Sequence, residues 1–248
     1  MILLDNRYKG FKITCIMFAD QPHHLKGYDR LVFTMCMKED NEIKADGFTA
    51  YPFWHTIVNL DNSYTEDYKL DGFGFDGNTR ANIHRAVRAG MTYKINEDWD
   101  NYIILQNNFI KAKKLWLKPY EKEFLQQFKG FLINIYDSQG TMLEAGYFVI
   151  MGDKLWTLSI CSYRLIDKSY ERLCSHASRF LYYQAMKYGK EQGCKTLWFN
   201  VGKDLDHPDS VSKFKLGFGG KRIQKNTYVK DLNPLLKVAG RFGIGRFD

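Results

Sequence analysis

The sequence predicts an α/β (α+β) fold with a mixed sheet. Three apolar runs, at 131–136, 145–151 and 155–161, are separated by short turns, and this pattern predicts an antiparallel meander of three strands. A helix is predicted over 175–192. The short apolar run 196–200 that follows it is typical of a buried strand lying parallel to a neighbour.

The last elements complete the order β-β-β-α-β-α-β. A short helix is predicted near 210–216, a glycine-rich turn at 217–220, and a closing strand over 222–229. Residues 233–248 are expected to form a basic carboxy-terminal tail. The mixed sheet is therefore expected to hold both antiparallel and parallel neighbours.

The first 54 residues predict a β-rich amino-terminal extension. Apolar runs at 11–18 and 31–37 indicate two strands that a polar loop separates. A polar stretch follows, and a third apolar segment at 55–60 begins the main part of the chain. We therefore place a domain boundary between residues 54 and 55.

A helix with a basic edge is predicted after residue 77. Asn78 is expected to cap it and Gly90 to end it. Arg80, His84 and Arg88 follow one another at intervals of four residues and share a face. That face could hold a substrate phosphate, or it could be an ordinary solvated surface.

A phosphate or carboxylate site is predicted at residues 170–177. The end of the third meander strand, a loop and a helix amino terminus meet there, and free backbone N–H groups attract anions. Ser175 is the expected helix cap and Gly193 the expected stop. An ordinary capped helix is the alternative interpretation.

Composition narrows the function classes without choosing one. The chain has 248 residues, 36 Lys and Arg against 28 Asp and Glu, and a net charge of +8, which favours anionic partners or a generally basic surface. Apolar residues make up 45%, so disordered, collagenous and coiled-coil classes are excluded.

The five cysteines lack any CxxC pair, and the six histidines lack metal-ligand spacing, so we expect no disulfide and no metal site. No signal peptide or membrane-length apolar run is present, and a cytoplasmic protein is expected.

Two further motifs are only weak or ambiguous evidence for a function. Gly72, Gly74 and Gly77 match the dinucleotide fingerprint, but no convincing βαβ unit surrounds them. The loop 204–209 places His207 among aspartates, which could bind a cation or supply a base. A polar turn that caps the next helix is the alternative for that loop.

Three stretches resemble the GNAT acyltransferase superfamily, and more closely its FemABX branch. They are 78–86 with the following Gly90, 178–193 and 214–220, and they occur in the order that the branch shows. The resemblance covers residues 55–232. It implies a single GNAT-like domain in which the meander is followed by α-β-α-β and the central sheet splays apart.

The resemblance implies transfer of an acyl group from acyl-CoA, with acetyl-CoA as the expected donor, to an amine of a sugar, peptide or glycan precursor. A strand N–H would polarise the donor carbonyl in the gap beside the strand that ends at Asn200. The residues that it assigns to the donor are Ser159, Cys161, Arg172, Ser175, His176 and Ala177. Asn200, Lys213 and His207 are the candidate catalytic residues, and Arg80, His84, Arg88, Tyr182 and Lys215 are the candidate acceptor-binding residues.

Two departures keep other functions open. Ser175 stands where coenzyme A users of the superfamily have a glycine, and Lys213 stands where they often have a tyrosine acid. Both departures are typical of the FemABX branch, in which some members take an aminoacyl group from charged tRNA for a cell-wall precursor. The alternatives are therefore aminoacyl transfer from tRNA and a non-catalytic binding module with the same fold.

Overall fold

The computed structural model describes most of the chain in two compact units. The described residues are 2–8, 11–17, 25–28, 30–34, 42–43, 47–61, 70, 74–114, 121–202 and 210–234. One unit is formed by Met1–Trp54 with Gln224–Asp248, and the other by His55–Ile223. No helix among the described residues has the length and apolar content needed to cross a membrane.

Ten strands, five α-helices and the 3-10 helices Tyr163–Leu165 and Lys168–Tyr170 are among the described elements. The strands are β1 (Ile2–Tyr8), β2 (Phe11–Met17), β3 (Arg30–Thr34), β4 (Thr49–Asn59), β5 (Thr92–Ile95), β6 (Gly130–Tyr136), β7 (Met142–Met151), β8 (Lys154–Ser162), β9 (Thr196–Gly202) and β10 (Lys221–Asp231). The helices are α1 (Gly77–Arg88), α2 (Trp99–Ala112), α3 (Lys122–Gln126), α4 (Glu171–Glu191) and α5 (Ser210–Leu216).

The unit formed by His55–Ile223 contains the predicted meander and crossover. Its strands follow the order β4-β9-β8-β7-β6-β5. β6, β7 and β8 pair antiparallel, whereas β9 pairs parallel to β8. The mixed α/β sheet is thus confirmed, and α4 is the crossover between its parallel strands.

α4 covers one face of this sheet and closes the main core. Ala177, Leu181 and Ala185 are buried on the helix, at the spacing of a single apolar stripe. At Gly189 the helix comes so near the sheet that an added Cβ would lie 2.6 Å from a methyl group of Leu155. The glycine therefore permits this close approach.

α1 packs across α4, but its amino-terminal cap differs from the prediction. Asp76, not Asn78, is the cap, and its Oδ1 accepts a hydrogen bond from the backbone N–H of Thr79 at 2.6 Å. The Asn78 side chain instead accepts a hydrogen bond from Nδ2 of Asn82 at 2.8 Å. Gly90 follows the helix with a φ of +69°, as expected for a residue that ends a helix.

α4 begins four residues earlier than the sequence indicates. Asp167 accepts a hydrogen bond from the N–H of Ser169 at 2.8 Å and so caps the 3-10 turn Lys168–Tyr170, which leads directly into Glu171. Ser175 is therefore inside the helix and is not its cap. Its Oγ accepts a hydrogen bond from Nη1 of Arg179 at 3.2 Å.

The other unit is a small sheet of β1, β2, β3 and β10. β1 and β2 form an antiparallel hairpin, β2 runs parallel to β3, and β3 pairs antiparallel with β10. β2 and β3 match the predicted strands at 11–18 and 31–37 over 11–17 and 31–34, and residues 18 and 35–37 lie outside the described residues. Arg30 and Asp231 join β3 to β10 through two hydrogen bonds of 2.5 and 3.2 Å.

Candidate functional site

β8 and β9 pair only over their first residues, and we call the space beside their unpaired ends the cleft. Their parallel ladder runs from Lys154↔Thr196 to Trp156↔Trp198 and then stops. β8 continues to Ser162 and β9 continues to Gly202. The central sheet is therefore splayed beyond Trp156 and Trp198, and backbone groups along the two strand edges are released from that ladder.

A β-bulge in β8 lies immediately beyond this point. Tyr147 pairs with Ser159 and Phe148 pairs with Thr157, so Leu158 is an extra residue in β8. A bulge takes backbone groups out of the regular ladder and re-aims them. The bulge and the parting of the strands coincide, which gives the cleft a place where a backbone donor can face a ligand.

Two predicted donor-binding residues, Ser159 and Cys161, have buried side chains that bond inside the protein. Ser159 Oγ accepts a hydrogen bond from the hydroxyl of Tyr102 on α2 at 3.2 Å. The thiol of Cys161 lies 3.7 Å from the carbonyl oxygen of Ala145, and burial raises its pKa well above the usual value. Only the backbone groups of Ser159 and Cys161 are therefore available to a ligand in the cleft.

Three aromatic rings pack together where the pairing of β8 and β9 ends, on the face of the sheet that carries Ser159. Trp156 and Trp198, the last residue pair of the ladder, have ring centroids 4.6 Å apart. The ring of His55 from β4 lies 5.7 Å from Trp156 and 5.8 Å from Trp198. All three residues are buried, so their rings are part of the core at the paired end of the two strands.

On the opposite face, Tyr182 belongs to a second aromatic cluster. Its ring centroid lies 4.7 Å from Phe199, 5.6 Å from Phe214 and 5.6 Å from Phe218. Burial raises the pKa of the Tyr182 phenol. This predicted acceptor-binding residue is therefore part of the packed core between α4, β9 and α5.

Arg179 connects α4 to α5 beside that cluster. Its guanidinium lies 5.0 Å from the ring centre of Phe214, and Nη1 donates to the carbonyl oxygen of Ser175 at 3.1 Å. Nε is buried and has no hydrogen-bond partner in the structure. Burial lowers the pKa of Arg179, and the nearby carboxylate of Asp76 opposes that effect.

His176 is fixed at the crossing of α1 and α4. Its Nδ1 lies 2.5 Å from Oδ1 of Asn82, whose Nδ2 donates to the carbonyl oxygen of Asn78 at 2.7 Å. Because Oδ1 can only accept, Nδ1 of His176 carries the proton. Burial lowers the pKa of His176, and Arg85, Arg172 and Arg179 lower it further.

The remaining predicted residues are spread over α1, α4, α5 and β9. Arg80 is half-buried and donates to the carbonyl oxygen of Phe75 at 2.8 Å, so it helps to hold the start of α1. His84 and Arg88 are exposed on α1, Arg172 is exposed on α4, Ala177 is buried on α4, Lys213 is exposed on α5 and Lys215 is half-buried there. Asn200 lies in β9 with a side chain that the structure does not describe, and His207 lies outside the described residues.

Sequence reasoning missed three residues that shape the site: Asn82, Arg85 and Arg179. Arg172, His176 and Arg179 are four and then three residues apart, which is the spacing of one helix face. That signal was hidden because the helix was expected to begin at Ser175.

Across the described part of the chain, no three His, Cys, Asp or Glu side chains are grouped as a metal site would require.

The comparisons with known proteins identify the fold. No protein-family model matches the sequence, and no curated protein matches it. FemX is similar in structure, with 14% identity, a TM-score of 0.60, and coverage of 95% of this chain and 85% of FemX.

Two further solved structures are similar as well. L-PGS from Bacillus licheniformis is 16% identical with a TM-score of 0.57, and the match covers 89% of this chain and 74% of L-PGS. The C-terminal domain of a protein assigned as a lysylphosphatidylglycerol synthetase from Agrobacterium fabrum is 12% identical with a TM-score of 0.58, covering 85% and 72% respectively. The predicted GNAT-like fold of the FemX type is confirmed.

Proposed function

We propose that this protein transfers an acyl or aminoacyl group to an amine in the cleft where β8 parts from β9. The observation that carries the proposal is the coincidence of that parting, after Trp156 and Trp198, with the bulge at Leu158. The likeness of the fold to FemX and L-PGS supports it.

The chemistry follows from the cleft. A backbone N–H near Leu158 donates to the oxygen of the donor's carbonyl group and stabilises the negative charge that develops there. The amine nitrogen bonds to the carbonyl carbon, and the bond from that carbon to the sulfur or oxygen of the carrier breaks. The amine loses one proton and the carrier gains one. Holding both reactants in one cleft supplies most of the required orientation.

Three polar residues are proposed to serve the reacting atoms. Asn200 follows the paired part of β9, and Lys213 is exposed on α5. His207 is proposed to accept the proton of the amine, because the ordinary pKa of an imidazole is about 6.5. Replacement of His207 by Gln is expected to lower turnover, and an unchanged rate would remove it from the mechanism.

The start of α4 favours an aminoacyl ester over acyl-CoA as the donor. The backbone N–H groups of Ser175, His176 and Ala177 lie inside Glu171–Glu191, where helical hydrogen bonds occupy them. They are not free to hold a pyrophosphate as the loop of a coenzyme A user would. The resemblance to the FemABX branch implies charged tRNA as that alternative donor, and acetyl-CoA remains the competing one.

The acceptor is proposed to be an amine on a sugar, peptide or glycan precursor that also carries a negative group. His84 and Arg88 are exposed on α1, and Lys215 lies on α5, so each is a candidate anchor. Arg80 is a weaker candidate because its guanidinium already bonds to Phe75. The acceptor is expected to bind along the face that α1 and α5 share with α4.

Thermal stabilisation with acetyl-CoA, coenzyme A and tRNA in parallel samples distinguishes the donors. A ligand at a hundred times its Kd stabilises the folded state by about 2.7 kcal/mol. We expect a shift with tRNA that falls steeply as salt is raised. A shift with acetyl-CoA alone would establish the thioester donor instead.

Transfer is then measured with aminoacyl-tRNA and with acetyl-CoA against a panel of amines. Lys213→Met is expected to lower the rate, whereas Lys111→Met, on the exposed surface of α2, serves as the matched control. Absence of both binding and transfer with every donor would overturn the proposal in favour of a binding module.

A further inference from the structure

α2 crosses the face of the sheet that carries Ser159, and it passes β6, β7 and β8 in turn. Asp98, just before the helix, accepts a hydrogen bond from the hydroxyl of Tyr136 on β6 at 2.6 Å. The ring of Trp99 lies 5.8 Å from a tyrosine ring of β7. Tyr102 then donates to Ser159 on β8 at 3.2 Å. The first turn of α2 therefore spans the sheet from β6 to β8.

The next turn of α2 carries Gln106 to the side of β8 that is unpaired. Gln106 follows Tyr102 by four residues and so shares its face of the helix. A turn advances about 5.4 Å and neighbouring strands lie about 4.8 Å apart, so Gln106 lies about one strand spacing beyond β8. β9 does not pair with β8 at this level, because their ladder ends at Trp156, before Ser159. Gln106 therefore flanks the cleft.

Two carboxamide oxygens on this turn are buried without a hydrogen-bond partner among the described residues. They are Oε1 of Gln106, whose residue is only 4% exposed, and Oδ1 of Asn107. A buried carbonyl oxygen that accepts no hydrogen bond destabilises the folded protein. Asn107 also lies in the interior of a helix, a position that asparagine disfavours. A ligand that donates hydrogen bonds to both oxygens would offset these costs.

The chemistry of the two oxygens defines the ligand group. A carboxamide oxygen only accepts hydrogen bonds, so the group must carry N–H or O–H bonds. The neighbouring helix residues Leu105 and Ile110 are apolar and each 5% exposed, and they offer the ligand no further polar partner. A primary amine has two N–H bonds for the two oxygens of Gln106 and Asn107, whereas a secondary amine or an alcohol has one. The pair of oxygens therefore favours a primary amine.

We propose that Gln106 and Asn107 bind a primary amino group in the cleft, with one N–H donated to Oε1 of Gln106 and the other to Oδ1 of Asn107. The nitrogen belongs either to the acceptor, which reaches the site through the gap between β8 and β9, or to an aminoacyl donor. For both sources the inference rests on the proposed function and makes these two residues determinants of specificity. As a binding site for amines, it requires no transfer activity.

NMR titration of the full chain with n-butylamine tests the site directly. The amine should shift the side-chain amide signals of Gln106, which are identified by their loss in Gln106→Leu. N-methylbutylamine and n-butanol leave one oxygen unpaired and should bind about fivefold more weakly, the effect of losing one hydrogen bond. Equal Kd values for the three compounds, or signals of Gln106 that do not move, would overturn the proposal.

Variants separate a binding role from a structural one. Gln106→Leu and Asn107→Leu should each weaken n-butylamine binding by about fivefold, whereas Gln126→Leu, on the exposed surface of α3, should leave the Kd unchanged. Gln106→Leu should also raise the urea midpoint of the free protein, because it removes a buried oxygen that has no partner. A lowered midpoint would show that this carboxamide stabilises the fold and would overturn the proposal.

Competition in the transfer assay identifies the source of the amino group. Inhibition by n-butylamine that is competitive with the acceptor assigns the site to the acceptor, and Gln106→Leu should then raise the KM of the acceptor. Inhibition that is competitive with the aminoacyl donor assigns it to the donor, whose KM should rise instead. Binding of n-butylamine at Gln106 that competes with neither substrate would place the site outside the cleft and overturn the proposal.

The two proposals fail in different ways. Binding of n-butylamine at Gln106 without any transfer activity would keep the amine site and reject the proposed function. Transfer activity that Gln106→Leu and Asn107→Leu leave unchanged, with no binding of n-butylamine, would keep the function and reject the amine site.

Discussion

Glu144 is a fully buried carboxyl group between β7 and α4. It pairs across the sheet with Ser162 at the end of β8, and its Oε1 has no hydrogen-bond partner in the structure. Burial raises its pKa to about 8, although the hydroxyls of Ser162 and Ser178 and the charge of Arg164 act in the opposite direction. Glu144 therefore holds its proton at neutral pH.

The change Glu144→Gln keeps the size and neutrality of the protonated side chain. In the unfolded chain the carboxyl group ionises near its ordinary pKa of 4.5, and in the folded protein the pKa is about 8. Each pH unit between these values favours the unfolded state by about 1.36 kcal/mol. The free energy of unfolding of the wild type should thus fall by about 5 kcal/mol between pH 4.5 and 8 through this group.

The sign follows from proton uptake. Below pH 4.5 both states hold the proton, and above pH 8 both release it, so the loss of stability is confined to the interval between them. Glu144→Gln has no proton to lose. Its free energy of unfolding should therefore exceed that of the wild type by an amount that grows with pH across this interval and then becomes constant.

Urea unfolding at several pH values, followed by tryptophan fluorescence and circular dichroism, measures the difference. Trp156 and Trp198 report on the unit that contains Glu144. Glu171→Gln is the matched control, because Glu171 is exposed at the start of α4, and it should follow the wild type. Parallel curves for the wild type and Glu144→Gln would refute the assignment of a protonated buried carboxyl group.

Two further predictions concern stability and are read from thermal or urea unfolding. Gly219→Ala should cost about 1–2 kcal/mol or more, because φ is +74° and an added Cβ would lie 2.9 Å from the carbonyl oxygen of Gly74. Gly77→Ala, with nothing within 4 Å of its Cβ, should be neutral or stabilising, and equal losses in both would contradict the argument. Asp231→Asn should cost about 3 kcal/mol, since it breaks a pair whose side chains are 7% and 17% exposed. Asp153→Asn, in a pair with exposed side chains, should change stability by less than about 0.5 kcal/mol, and a comparable loss there would remove burial as the cause.

Local patterns account for the parts of the fold that the sequence predicts. The meander was predictable because apolar runs alternate with turns, and Asp137 shows why the first turn forms: its carboxylate accepts two backbone N–H groups. β5 was missed because Thr92–Ile95 is short and half exposed, and its pairing with β6 defines it. α2 was missed because Asp98 precedes it in a left-handed conformation without a side-chain cap.

The orientation of neighbouring strands could not be inferred either. β2 and β3 lie parallel, yet nothing in two separated apolar runs distinguishes this arrangement from a hairpin. The residues between strands decide it, since a parallel pair needs a connection that returns to the same end. By contrast, the parallel pairing of β8 and β9 was predictable because a long amphipathic helix separates them.

The start of α4 determines what kind of anion site this protein can have. A helix beginning at Ser175 would offer free backbone N–H groups at Ser175–Ala177, and a phosphate would bind to the main chain. The 3-10 turn capped by Asp167 instead carries the helix back to Glu171. Helical hydrogen bonds use the backbone N–H groups of Ser175–Ala177, and the earlier helix start places Arg172 on the face that holds His176 and Arg179.

The crossing of α1 and α4 brings basic side chains, and not glycines, around His176. Arg85, Arg172 and Arg179 each lower the pKa of this imidazole. Asn82 links the two helices that supply those arginines through its bond to His176. Its replacement by Leu should therefore lower the free energy of unfolding by about 1–3 kcal/mol, because the buried Nδ1 of His176 would lose its hydrogen-bond partner, and an unchanged midpoint in urea unfolding would show that this bond does not stabilise the crossing of α1 and α4.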